Sequence, residues 1–190
     1  MNLLIKLLKK IKGRFLRHYH EWFSKTNYIF SFKGTISPEK RTDCEFLSYK
    51  SFESLPEQTR IDMCEDGSII QLNQNKLELE ENAILWIASV NSHMVSFVFT
   101  RQGKYFKNWF VPLQPTDIVF FRLGTNPSYR GRGYATSLIR YVMHELETKE
   151  ALFYIDIRTY NRPSIRCVEK TGWLCIGKKK SIDRNWAMYG

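Results

Sequence analysis

Residues 128–138, SYRGRGYATSL, place two glycines and two arginines directly before an apolar pattern of helical period. Glycine lets the backbone approach a ligand without a Cβ in the way. The first N–H groups of the following helix have no partner within the helix, and the helix dipole adds positive potential there. The stretch therefore favours binding of a phosphate or pyrophosphate. The alternative is a basic turn that only begins a helix.

Common phosphate-binding motifs do not fit this stretch. It departs from G-x-x-x-x-G-K-[ST], which excludes a P-loop. The segment GRGYAT also has Thr136 where the dinucleotide pattern G-x-G-x-x-G requires its third glycine, and it lies late in the chain, after a predicted hairpin. The turn alone therefore does not decide between a ligand site and a simple helix start.

The surrounding pattern alternates strands and helices. Strands are predicted at 45–52, 83–90, 94–101, 117–125, 151–159, 173–182 and 183–190, and a further strand or an extended linker at 27–36. Helices are predicted after Pro56, at 130–150 and at 161–172, where Gly172 is placed to end the last of them. The polar segment at 69–81 is ambiguous, with a short helix as one interpretation. The glycine-rich turn thus falls where a strand gives way to a helix.

Two motifs together resemble a known family. The segment NPSYRGRGYATSLIRYVMHEL contains [QR]-x-x-G-x-[GA] at residues 130–135, and it resembles the acetyl-CoA-binding motif of the GNAT superfamily of N-acetyltransferases. The segment NRPSIRCVEKTGW, residues 161–173, resembles the second motif of that family. One helix and one strand separate the two segments, as in the family. The resemblance extends over about residues 44–190 and is strongest over 117–178.

The resemblance implies an α/β (α+β) fold with a mixed central sheet of about six to seven strands, flanked by helices. Two parallel central strands, at 117–125 and 151–158, are expected to splay apart and admit the pantetheine arm of acetyl-CoA. Residues 27–190 are expected to form one acetyltransferase domain behind an N-terminal segment at 1–26.

The family assigns roles to particular positions. The strand backbone at 123–125 would hold the arm in the manner of an added strand, and the amides of residues 131–136 would hold the pyrophosphate. The residues so implied in acetyl-CoA binding are Leu123, Gly124, Thr125, Arg130, Gly131, Arg132, Gly133, Tyr134, Ala135, Thr136, Asn161 and Ser164. For Asn161 the alternative is a helix N-cap, and for Ser164 a residue on the helix surface.

Acetyl transfer needs a neutral amine, a stabilised oxyanion and a proton for the leaving thiolate. Many family members have a tyrosine near the sulfur, but Val168 stands at that position here. Tyr160 is a candidate replacement acid and Asp156 a candidate base, although a structural role is the alternative for each. A thiol is acidic enough for the thiolate also to leave unaided. The family implies direct transfer in a ternary complex, without a metal.

The sequence constrains the identity of the acceptor less than that of the donor. The aromatic segment KYFKNWFVPLQP, residues 104–115, suits the face of a sugar ring, which favours an amino sugar linked to a nucleotide or a lipid. A protein amino group or a small amine is the alternative, and so is a protein that binds coenzyme A without catalysis.

The net charge of +10 is concentrated at the N-terminus, where residues 1–25 carry seven Lys or Arg and one acidic residue. This segment predicts an amphipathic helix that either lies on an anionic membrane surface or packs on its own domain or a partner subunit. Lysines interrupt it too often for a transmembrane span. We expect a cytoplasmic protein, peripheral on the inner face of the membrane under the first interpretation. Either interpretation is compatible with an oligomer.

Two further classes are disfavoured by residue types. No nucleic-acid-binding motif accompanies the basic charge. The four cysteines contain no C-x-x-C pair and the four histidines complete no zinc spacing, so we expect no metal site and free thiols.

Overall fold

The computed structural model describes residues 26–37, 41–65, 72–148 and 150–180. Within them lie seven strands and four helices. The strands are β1 Thr26–Phe32, β2 Glu45–Tyr49, β3 Ile84–Val90, β4 His93–Gln102, β5 Ile118–Thr125, β6 Phe153–Arg158 and β7 Leu174–Lys180. The helices are α1 Glu57–Glu65, α2 Leu72–Glu80, α3 Tyr134–Glu145 and α4 Arg162–Lys170.

All seven strands form one mixed sheet in the order β2-β3-β4-β5-β6-β1-β7. β5 and β6 are parallel, and the other neighbours are antiparallel. The predicted mixed sheet of a GNAT-like α+β fold is confirmed. The segment at 27–36, predicted as a strand or a linker, contributes β1, which lies inside the sheet between β6 and β7.

The two faces of the sheet bury different clusters. On one face, α3 and α4 cover the larger core, which includes Phe120, Ile155 and Ile157. On the other face, a smaller cluster joins Val119 and Tyr154 to aromatic residues of the segment after β4. Because side chains alternate along a strand, Asp156 and Arg158 lie on the same face as Tyr154, opposite α3 and α4.

Some predicted bounds need correction. The helix predicted at 130–150 begins only at Tyr134, because Gly131 and Gly133 have positive φ angles of 77° and 85°. The aromatic segment at 105–113 forms a loop that follows the 3₁₀ turn Gly103–Tyr105. Its single proline, Pro112, lacks the N–H that a ladder requires, and Trp109 and Phe110 are buried against the sheet.

The N-terminal prediction is corrected at one residue, because Thr26, assigned to the helical segment, begins β1. The rest of that segment, and the last predicted strand at 183–190, lie outside the described residues. Among the helices that the structure describes, none combines the length and apolar character needed to cross a membrane.

Candidate active site

The parallel central strands separate. Their ladder pairs Ile118 with Phe153 and ends at Phe120 with Ile155, yet β5 continues to Thr125 and β6 to Arg158. The carboxyl ends of these strands therefore border an opening in the sheet. Such an opening at the carboxyl ends of parallel strands is a common place for a ligand.

A β-bulge in β5 shapes this opening. Phe97 of β4 pairs with Gly124 and Phe99 pairs with Phe121, so two residues of β5 face one residue of β4. Arg122 lies in the bulge with a φ of +52°, which is uncommon for a residue other than glycine. A bulge bends its strand and removes backbone groups from the ladder. The backbone at 123–125, predicted to hold the pantetheine arm, begins within the bulge at Leu123.

The glycine-rich turn lies just beyond β5. Residues 130–133 are exposed, and the positive φ angles of the two glycines bring the turn to the first residue of α3. Arg130 Nε donates to the carbonyl oxygen of Thr125 at 3.2 Å, which ties the turn to the end of β5. An exposed turn at the start of a twelve-residue helix makes this a suitable pyrophosphate cradle.

An arginine that the sequence did not indicate holds this turn. Arg41 Nη1 donates to the carbonyl oxygen of Arg132 at 2.9 Å, and the Arg41 guanidinium lies 4.2 Å from the centre of the Tyr134 ring. Arg41 also donates to both carboxylate oxygens of Asp43, at 2.7 Å each. The Tyr134 hydroxyl donates to the same carboxylate at 3.1 Å. No motif marks Arg41, which is far from the turn in sequence.

These contacts alter titration in the Arg41–Asp43–Tyr134 cluster. The hydrogen bond from Arg41 lowers the pKa of Asp43 to about 2, and burial, followed by the bond to Asp43, raises the pKa of Tyr134. The Tyr134 side chain, predicted among the acetyl-CoA-binding residues, is buried within this cluster. It therefore supports the turn from behind, and the backbone of Tyr134 lies at the cradle.

The second motif forms the start of α4. Asn161 is the N-cap, and its Oδ1 accepts from the amide of Ser164 at 3.3 Å; both residues also line the cleft between β5 and β6. Val168 is completely buried in the main core, so its position offers no contact with a ligand. The Cys167 sulfur lies 3.4 Å from the Thr136 hydroxyl, and burial raises the pKa of this thiol.

The opening between β5 and β6 contains a cleft of about 650 Å³. Asp156 lines it and directly follows Ile155, the last residue of β6 in the ladder with β5. Asn27 Nδ2, on the neighbouring β1, donates to Asp156 Oδ2 at 2.6 Å and so fixes the carboxylate. Tyr160, the other predicted catalytic residue, lies in the turn after β6 and is not among the described residues that line the cleft.

An ion-pair network forms one wall of this cleft. Arg101 Nη2 lies 2.9 Å from Glu78 Oε2, and Arg122 Nη2 lies 3.0 Å from Glu78 Oε1. Glu81 lies 3.5 Å from the same Arg101 nitrogen. Burial lowers the pKa of Arg101, while the carboxylates raise it. Sequence analysis missed the network because α2, β4 and β5 each supply part of it.

An aspartate at the start of β5 has a structural role. Asp117 is buried, and its carboxylate accepts from the amides of Gln114 and Leu152 at 2.7 and 3.1 Å. It therefore fixes the start of β5, as a structural residue would. In the ranges that the structure describes, no three His, Cys, Asp or Glu residues converge in a way that would hold a metal ion.

Comparison with known proteins adds a family. Residues 41–173 match the model of the "Acetyltransferase (GNAT) family". A GNAT-family acetyltransferase of Novosphingobium aromaticivorans superposes with a TM-score of 0.57 at 16% identity, over 83% of this chain and 66% of that one. A GNAT-family acetyltransferase from Colwellia psychrerythraea gives 0.59 at 10% identity, over 80% and 53%.

A third similar structure is an aminoglycoside acetyltransferase from an uncultured soil sample, in complex with sisomicin. It gives a TM-score of 0.50 at 12% identity, over 68% of this chain and 87% of that one. These identities support a shared fold only. The chain spans about half to two thirds of the Novosphingobium and Colwellia proteins, and none of the curated protein sequences compared with it matches.

Proposed function

This chain belongs to the GNAT acetyltransferase family, and we propose that it is an acetyl-CoA-dependent N-acetyltransferase that acts on a primary amine. The proposal rests on the separation of β5 and β6. β5 borders this opening and leads to the exposed turn before α3, and Asp156 lines the polar cleft in the opening. A donor and an acceptor can therefore meet through the sheet.

The donor would occupy the side that carries α3 and α4. Its pyrophosphate would accept from amides in residues 131–136, where the turn is exposed and the helix dipole is favourable. Its pantetheine arm would lie along the backbone at 123–125, in the place of a strand that β6 does not provide. Asn161 and Ser164, which line the cleft, would lie beside the arm.

The acceptor would enter from the face that carries Asp156. The Asp156 carboxylate would accept a hydrogen bond from the amine and take its proton as the nitrogen attacks the thioester carbon. Backbone N–H groups near the β5 bulge would stabilise the oxyanion. The attack forms a tetrahedral intermediate that carries this oxyanion. Its collapse re-forms the carbonyl and breaks the C–S bond, so the products are the amide and the thiolate of coenzyme A. The transfer is direct, with no acyl-enzyme.

The thiolate would leave without a side-chain acid at the family's usual position. Val168 is buried in the core, and a thiol has a pKa of about 8.5, which makes its thiolate a good leaving group near neutral pH. Tyr160 remains a candidate proton donor. Its test is the pH dependence of kcat, which would lose its alkaline limb in Tyr160→Phe if this hydroxyl supplied the proton.

An amino sugar linked to a nucleotide or a lipid is the acceptor that we favour. Phe106 and Trp109 line the cleft, and aromatic faces pack well against sugar rings. The aminoglycoside acetyltransferase with sisomicin has a related fold. A lipid-linked acceptor would also suit a cytoplasmic protein whose basic N-terminal segment lies on the inner face of a membrane. A protein amino group or a small amine is the alternative acceptor.

The decisive experiment is thiol release from acetyl-CoA in the presence of an acceptor panel: amino sugars, nucleotide-linked amino sugars, small amines and peptides. We expect release to depend on one acceptor class and acetate to appear on its nitrogen. Calorimetric binding of coenzyme A, with no transfer to any amine, would instead support a non-catalytic binding protein, the function that the buried Val168 favours as second candidate.

A further inference from the structure

The cleft contains an arginine that the acetyl-transfer chemistry does not use. Arg158, the last residue of β6, lines the cleft beside Asp156. Its Nη1 is buried and has no hydrogen-bond partner among the described residues. A buried guanidinium N–H without a partner is unfavourable, and a carboxylate or phosphate oxygen satisfies it well.

The other two arginines of the cleft are already neutralised. Arg101 and Arg122 each contact a different oxygen of Glu78, and Arg101 also lies near Glu81. Arg158 appears in none of these ion pairs. Its opposite neighbour on β1 is Asn27, whose amide nitrogen is used by Asp156. The protein therefore neutralises the wall of the cleft but leaves the buried Arg158 Nη1 without a hydrogen-bond partner among the described residues.

Arg158 is also badly placed to bind the phosphates of coenzyme A. The glycine-rich turn begins α3, and α3 covers the face of the sheet that buries Ile155 and Ile157. Arg158 alternates with these residues and lies on the opposite face, with Asp156. An anion that reaches Arg158 would therefore belong to the acceptor.

We propose that the acceptor carries an acidic group, a carboxylate or a phosphate, which Arg158 binds while Asp156 binds the amine. This proposal rests on the proposed acetyltransferase function. The Cα atoms of alternate residues on one strand are about 6.6 Å apart, so the side chains of Asp156 and Arg158 can contact the amine and the acidic group of one small acceptor. Amino acids and phosphorylated amino sugars have this chemistry, and simple alkylamines do not.

The test uses pairs of acceptors that differ only in the acidic group. One pair is an amino sugar phosphate and its unphosphorylated sugar, and the other is an amino acid and its methylamide. For one of the two pairs, we expect the intact enzyme to show a kcat/KM roughly tenfold or more higher for the anionic member. The pair that shows this preference identifies phosphate or carboxylate.

Arg158→Gln should remove this preference, mainly by raising KM for the anionic member, and Arg158→Lys should restore part of it. Lys33→Gln is the matched control, because it removes one charge from an exposed residue beyond the other end of β1. Its preference should equal that of the unaltered protein. A preference that persists in Arg158→Gln, or equal rates for both members of both pairs, would overturn the proposal.

A binding measurement tests the role of Arg158 independently of acetyl transfer. Calorimetry with the same four compounds, on protein saturated with coenzyme A, requires no turnover. If no acceptor is acetylated but an anionic compound binds roughly tenfold tighter than its neutral counterpart, and Arg158→Gln abolishes that difference, the acceptor inference holds and the catalytic proposal fails. If neither anionic compound binds tighter than its counterpart, the acceptor inference fails.

Discussion

Arg41 and Arg132 are joined by a 2.9 Å hydrogen bond from a side chain to a backbone carbonyl, across 91 positions of sequence. The bond turns the carbonyl oxygen of Arg132 toward a cation, on the turn whose amides are the proposed pyrophosphate ligands. A residue outside the family motifs thus orients that turn.

Replacing Arg41 by alanine should weaken coenzyme A binding by roughly threefold to tenfold, which is the effect of one ordinary hydrogen bond. The turn would lose its contact at Arg132 and the guanidinium above the Tyr134 ring. Calorimetric titration with coenzyme A measures the effect. Arg60→Ala is the control, since Arg60 also donates to backbone carbonyls, at Glu53 and Leu55, but not at the turn. Equal affinity in the two variants would contradict the assigned role.

Gly133→Ala should impair coenzyme A binding more than Gly131→Ala. Each alanine would have to adopt a positive φ, at a cost of about 1 kcal/mol. At Gly133 the added Cβ would also lie 3.3 Å from Arg41 Nη1, whereas at Gly131 it meets no atom within 4 Å. Coenzyme A titration of both variants, with thermal unfolding to monitor the fold, tests this order. The reverse order would show that Arg41 does not constrain Gly133.

The contribution of Asp43 to stability should depend on pH. Its pKa is about 2 in the folded protein, below the ordinary 3.8, because Arg41 donates to it. The folded state therefore favours the carboxylate, and the resulting stabilisation is present above about pH 4 and disappears as the pH falls toward 2. Thermal unfolding of the parent and Asp43→Asn should differ near neutral pH and converge below pH 4. A difference that stayed constant over this range would exclude the ion pair as its source.

Asp156→Asn should lower kcat/KM for the amine by roughly 10²-fold to 10⁴-fold, the usual contribution of a general base, and leave coenzyme A affinity unchanged. Steady-state acetylation and calorimetry provide the two measurements. Asp117→Asn is the contrasting variant, because Asp117 is buried and accepts from two backbone amides. It should lower the melting temperature. Loss of activity in Asp156→Asn only in proportion to lost folded protein would remove Asp156 from the chemistry.

The basic segment at 1–25 should bind vesicles that contain anionic lipid if it lies on a membrane. Co-sedimentation of the full chain, and of the chain that starts at Thr26, distinguishes the two interpretations. The shorter chain retains the whole of β1. We expect the full chain to pellet with anionic vesicles and the shorter one to remain in solution, with binding weakened by salt. Equal pelleting of both would favour a helix packed on protein.

Local sequence predicted much of the donor side. The two motifs locate the glycine-rich turn and the start of α4, and the strand–helix alternation around them is periodic enough to place β5, α3, β6 and α4 within a few residues. The sequence also shows that Val168 replaces the family's tyrosine. The Val168 side chain is completely buried and therefore contacts no ligand.

The acceptor side could not be predicted in the same way. Glu78, Arg101 and Arg122 meet only after α2, β4 and β5 have packed together, and each is unremarkable in its own segment. Arg158 could be placed on the less apolar side of its strand, but the unsatisfied Nη1 depends on neighbours in the folded chain. Long-range contacts of this kind have no signature in a single sequence.

The position of β1 has a consequence for how the chain folds as it leaves the ribosome. β1 is made early, yet its two neighbours, β6 and β7, are made last, and Thr26 finally lies opposite Lys180. Pairings between such distant segments form slowly. Because β1 also brings Asn27 to Asp156, the carboxylate that we propose as the base reaches its final position only after nearly all of the sheet has been synthesised. Activity should therefore emerge late during biosynthesis, together with the closing of the sheet.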